Sequence, residues 1–158
     1  MTAPLVIRDA ALRRGGRELW SGLDLTVEPG ELIAVLGPSG TGKTTLLRSI
    51  LGLEELSSGS IDVLGEPVRE KGNRRIGYIP GEFTLYDRLT GRQTIQYFAN
   101  LRGGVDRAYQ TSLIERFEID PTRRFKEYSK GNKQKVGLVI ALQHRPELLI
   151  LDEPTSGL

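Results

Sequence analysis

The chain contains no cysteine, which excludes disulfides, zinc–thiolate sites and thiol catalysis. Its longest apolar stretch, Val136 to Leu142, is far short of a membrane span. The opening Met1-Thr2-Ala3-Pro4 lacks the charged and apolar regions of a signal peptide. A formal net charge of +2 is too mild to argue by itself for nucleic-acid or membrane binding. There is no internal repeat, low-complexity tract or flexible linker. The only histidine, His144, lies in a His-Arg-Pro turn and is read as a surface or helix-end residue without a catalytic role. These absences lead to the expectation of a cytoplasmic protein whose membrane association comes through a partner. What is present, 158 residues with 38% hydrophobic and 27% charged, suits one soluble globular domain.

Gly37-Pro38-Ser39-Gly40-Thr41-Gly42-Lys43-Thr44 fits G-x-x-x-x-G-K-[ST], the phosphate-binding P-loop. Backbone N–H groups, freed by the glycines to turn inward, make an anion site at a helix N-terminus. Lys43 adds a charge that can reach β- and γ-phosphates, and Thr44 offers a hydroxyl to Mg²⁺. The context is the required one. Leu32 to Leu36 reads as a buried strand, and Leu46, Leu47, Ile50 and Leu51 recur at helical spacing until Gly52.

Leu5 to Leu12 and Leu19 to Val27 read as strands around a polar turn. Ser60 to Leu64 and Arg75 to Ile79 read as shorter ones. Thr90 and Gln93 form a capping-box pattern before a helical face at Ile95, Phe98 and Ala99. Tyr109, Leu113 and Phe117 mark another helix after Asp106. Residues 84–126 are therefore expected to be a helical subdomain inserted into an α/β core formed by 1–83 and 127–158. Asn132 to Arg145 reads as a largely buried helix and Leu148 to Leu151 as a fully buried strand.

That strand runs into Asp152-Glu153-Pro154. Carboxylates at the C-terminal end of a strand lie where open α/β sheets place ligand chemistry. Asp152 can hold Mg²⁺, and Glu153, aimed differently, can deprotonate an attacking water. Ser129 is a good N-cap for the preceding helix, and its lysine-rich first turns make a rim suited to phosphate. An ordinary capped helix with a solvated basic face is the favoured reading of that segment when it is taken alone.

P-loop, then Ser129-Lys130-Gly131-Asn132-Lys133-Gln134, then Leu148 to Leu158 together resemble the ATP-binding cassette (ABC) family, specifically the ATP-binding subunit of a transporter. The resemblance implies a P-loop NTPase core of RecA-like α/β class, with a mixed sheet and an antiparallel β-subdomain. It implies ATP and Mg²⁺ as cofactors, with phosphate and metal held by Gly37, Pro38, Ser39, Gly40, Thr41, Gly42, Lys43, Thr44 and Thr45. Asp152 becomes the Walker B aspartate and Glu153 the general base. Ser129 and Gly131 would contact the γ-phosphate of ATP held by a second such domain. A transmembrane permease is the other implied partner, and the implied location is the cytoplasmic face of a membrane. No nucleic acid is expected.

The chain departs from the family's pattern at several points. Tyr128, Lys130 and Asn132 replace members of the usual Leu-Ser-Gly-Gly-Gln signature. Gly81 stands where a glutamine is expected, and glycine has no side chain for metal or water. Arg14 aligns with the aromatic residue that stacks on adenine, and a guanidinium plane can also stack. Trp20 is read as a core residue of its strand. The chain reaches Leu158 where the family continues with a further core strand and a switch histidine. That reading would leave the P-loop strand with an unpaired apolar edge. Residues up to about Pro80 resemble metal-importer ATPases, and Gly81 onward drug or antibiotic exporters, so an exporter is expected. The alternatives are a non-catalytic nucleotide-binding fragment and a non-transport ABC ATPase. No heptad tract separates Lys43 from Ser129, unlike the coiled-coil chromosome members of the family.

Overall fold

The computed structural model describes residues 2–68, 73–82 and 84–154. Two compact units divide the chain, Met1–Asn73 and Arg74–Leu158.

The first unit is built on an antiparallel sheet. Strands β1 (Leu5–Arg14) and β2 (Arg17–Val27) form a hairpin, and β3 (Ser58–Val63) pairs with the other side of β1, with β4 (Glu66–Pro67) at the edge. Alternation along β1 buries Leu5 and Ile7, then slips in phase to bury Ala10 and Leu12. A bulge causes the slip: Asp9 has φ 42°, and its N–H donates to the Asp24 carboxylate at 2.8 Å. Gly59 packs on this bulge so closely that a Cβ there would lie 2.3 Å from the Asp9 carbonyl oxygen. Only glycine fits. Helix α1 (Lys43–Ile50) buries Leu46 and Ile50 and packs against β3.

The expected buried strand at Leu32 to Leu36 is not found. This segment is irregular chain, with Leu32 94% and Leu36 89% exposed. A β-strand exists only through its neighbour's hydrogen bonds, and among the described residues no strand pairs with this one. Burying two leucine side chains is worth about 3–6 kcal/mol, so the segment is poised to gain from any partner that covers it.

In the second unit β5 (Ile76–Ile79) and β6 (Leu148–Leu151) run parallel, with Ile79 opposite Leu151. Three helices, α2 (Gly91–Leu101), α3 (Arg107–Arg116) and α4 (Lys130–Leu142), supply most of the core. Each starts at a capped turn. Thr90 and Gln93 form a reciprocal capping box, Asp106 accepts from Ala108 and Tyr109 N–H, and the Ser129 hydroxyl accepts from Asn132 N–H. Helix α4 buries only its second half, from Val136, because its first turns form the basic rim. Strand β6 is also less buried than expected: Leu149 is 37% exposed, since β5 is its only strand neighbour among the described residues.

Past the end of α4, fully buried Gln143 joins the three helices. Its amide donates to the Ile95 carbonyl at 3.3 Å and accepts from Gln110 at 2.8 Å. Next to it, His144 Nε2 lies 3.1 Å from the Ile76 carbonyl. Burial, with Arg102 nearby, lowers the imidazole pKa. His144 thus belongs to the packing at the start of β5. Gln143→Leu fills similar volume but takes the acceptor from the Gln110 amide and removes the donor to the Ile95 carbonyl. It is expected to lower unfolding stability by about 1–3 kcal/mol in urea titration, and an unchanged midpoint would contradict this role.

Candidate functional site

The first set of candidate residues lies wholly within the first unit. Gly37 to Thr41 form an exposed loop, and Gly42, at φ 90°, is the N-cap of α1 with no side-chain cap. Gly40 also takes a left-handed φ of 81°. An uncapped N-terminus leaves amide hydrogens of the first turn without intrahelical acceptors, and the helix dipole adds partial positive charge. The Lys43 ammonium is folded back on the loop, donating to the Gly37 carbonyl at 2.6 Å and the Pro38 carbonyl at 2.8 Å. Thr41 Oγ1 also donates to the Pro38 carbonyl, at 2.8 Å. An uncapped first turn, a cation held against the loop and the exposed Thr44 fit a polyphosphate with its metal ion. Thr45, one residue on, is buried.

Trp20 belongs beside this loop, which sequence reading missed. A Cβ on Gly42 would lie 3.0 Å from the Trp20 ring and 3.3 Å from Leu19 Cβ. The indole is the surface on which the helix entry rests. Its Nε1–H is buried and has no hydrogen-bond partner among the described residues. Arg14, at the end of β1, is exposed, with its guanidinium 3.9 Å from the Glu54 carboxylate.

The second set lies within the second unit. Asp152 is 6% exposed just beyond β6, and its N–H donates to the Ile79 carbonyl at 2.9 Å. Glu153 follows, exposed, with φ 46°. A left-handed conformation costs a non-glycine residue about 1–3 kcal/mol. Gly81, in the position of the expected glutamine, lies alongside: a Cβ there would be 3.6 Å from the Asp152 carboxylate, in ordinary contact. Ser129 and Gly131 stand at the start of α4, with Ser129 Oγ 3.2 Å from the Asn132 amide nitrogen. Gly81 thus lies beside Asp152, while Ser129 and Gly131 share the first turn of α4.

Residues 20–156 match the family model described as ABC transporter. The chain belongs to that family. The uncharacterized ABC transporter ATP-binding protein YhaQ of Bacillus subtilis (strain 168) is 43% identical over 142 residues, covering 87% of this chain and 48% of that protein. The Nod factor export ATP-binding protein I of Burkholderia thailandensis is 35% identical, covering 99% of this chain and 54% of that protein. The chain thus spans about half the length of the curated relatives it matches. Among solved structures, a putative ABC transporter ATP-binding protein from Pyrococcus furiosus superposes with a TM-score of 0.87 at 27% identity, covering 98% of this chain and 77% of that one. The fold is accordingly that of the ABC ATPase P-loop domain.

The geometry of this ABC domain gives two tests. Trp20 is the only tryptophan, so MgATP added to the chain should shift its emission through the contact with Gly42. Titration that shows bound nucleotide with unchanged emission would contradict that contact. Gly81→Gln should fold with a thermal midpoint within a few degrees of the parent, because its Cβ meets only ordinary contacts. A large loss of stability would contradict the geometry beside Asp152.

Proposed function

We propose that this chain is the nucleotide-binding part of a subunit that hydrolyses MgATP to drive a membrane ABC exporter. The observation that carries the reading is the uncapped entry into α1 at Gly42, with Lys43 held on the loop carbonyls. In this reading the amides of residues 39–44 and the Lys43 ammonium hold the β- and γ-phosphates. Thr44 and Asp152 hold Mg²⁺, which when bound neutralises charge developing on the phosphoryl oxygens. Glu153 takes the proton of the attacking water. Ser129 and Gly131 meet the γ-phosphate held by a second ATP-binding domain, identical or related. Arg14 supplies a flat cationic face to the adenine.

A transmembrane permease is the partner that uses the work. None of the described helices is long and apolar enough to cross a membrane, which is compatible with a peripheral place on the cytoplasmic face. The export direction is supported by the likeness to a Nod factor export protein and by the exporter-like second half. The inserted helical subdomain, residues 84–126, belongs to the same reading.

A second reading, nucleotide binding without turnover, is favoured by the exposed Leu32 to Leu36 segment. Binding and phosphate release distinguish the two. Lys43→Ala is expected to weaken MgATP binding at least about tenfold, the scale of one lost charge-assisted contact. Glu153→Gln is expected to bind normally and to abolish phosphate release. A parent chain that binds without turnover supports the second reading, and one that does not bind contradicts both.

A further inference from the structure

Tyr128 stands where the family's signature has a leucine, and its phenol does what a leucine cannot. The side chain is 5% exposed, edge-on to Phe125 with ring centroids 6.1 Å apart. Its Oη donates to the Asp120 carbonyl at 2.5 Å. Burial raises the phenol's pKa, so the donor keeps its proton. The hydroxyl reaches that carbonyl over Gly91, the first residue of α2. A Cβ at Gly91 would fall 2.1 Å from Oη, 3.1 Å from Cζ and 3.3 Å from Cε2. Gly91 and Tyr128 are thus a matched pair: the ring occupies the volume that any other residue at 91 would need.

The surrounding backbone is tied to the same point. Gly91 N–H donates to the Arg123 carbonyl and Arg92 N–H to the Pro121 carbonyl, each at 2.9 Å, and Phe125 N–H donates to the Leu89 carbonyl at 2.8 Å. The segment from Asp120 to Tyr128 is therefore stitched to the start of α2. Ser129, the next residue, caps α4. Its position follows from where Tyr128 is held.

We propose that the Tyr128 hydroxyl is a latch that positions the phosphate-facing end of α4, fixing Ser129 and Gly131 through its bond to Asp120 across Gly91. Tyr128 touches no nucleotide in this account and acts through Ser129. The proposal rests on the reading that Ser129 and Gly131 meet the γ-phosphate of a second copy's ATP.

The test uses the full chain as Tyr128→Phe, Gly91→Ala and the double variant, with two readouts. The first is amide hydrogen exchange without nucleotide. Tyr128→Phe should speed exchange at Asn132 and Lys133 by about tenfold, the scale of one hydrogen bond, and leave β1 and β3 unchanged. Gly91→Ala should do the same. Its effect should be several-fold smaller in the Tyr128→Phe background, where no hydroxyl obstructs the methyl. The second readout, in a Glu153→Gln background, compares MgATP affinity at low protein concentration with MgATP-driven self-association. Tyr128→Phe should leave the affinity within about twofold and weaken association about tenfold, a split that general destabilisation would not produce. Unchanged exchange at Asn132, or additive Tyr128 and Gly91 effects, would overturn the latch. Association weakened only in proportion to affinity would overturn its link to Ser129. A parent that binds MgATP and never associates would contradict the reading of Ser129 while the exchange result still judges the latch.

Discussion

Gly42 enters α1 in a left-handed conformation with no side chain to cap it, and the chemistry assigned to this domain starts from that turn. A residue with a Cβ would be strained there and would crowd the Trp20 ring at 3.0 Å, so the turn favours glycine for two independent reasons. The uncapped amides attract anions, and Lys43 answers the loop's own carbonyls until something more negative displaces them. An ordinary N-cap such as serine would satisfy those amides internally and reduce the pull on phosphate. The loop thus leaves donors open that most helices close.

The other candidate residues share a local logic. Asp152 is buried at a strand end, where its backbone still belongs to the sheet through Ile79, while Glu153 leaves the sheet in a strained conformation. Parallel pairing of β5 with β6 brings Gly81 alongside Asp152, although the two are far apart in sequence. Flanking α4 in the same unit, Tyr128 and Gln143 are buried polar groups with partners, and each joins segments remote in the chain.

Much of this was legible in the residues because the signals were local. The Thr90–Gln93 capping box, the Ser129 cap and the helix after the P-loop each describe a few consecutive positions and stand in the structure as read, and the apolar run at Leu148 to Leu151 is a strand, though less buried than expected. Leu32 to Leu36 misled because its apolar, branched residues are equally right for a strand and for a segment lacking its neighbour. Strand identity is settled by a partner that no local pattern reveals. The exposure of Leu149 has the same origin. Trp20 against Gly42 and Tyr128 against Gly91 were invisible for another reason: each pairs a ring with a glycine more than 20 positions away. A glycine at a helix start says only that something is close, never what.

If the turn at Gly42 is a polyphosphate site, affinity must reside in the phosphate chain more than in the base. Calorimetric titration of the chain with MgATP, MgADP and AMP measures this directly. MgATP and MgADP should bind, and AMP at least about a hundredfold more weakly, because it cannot reach Lys43 and the first-turn amides together. AMP binding as tight as MgATP would contradict the polyphosphate site.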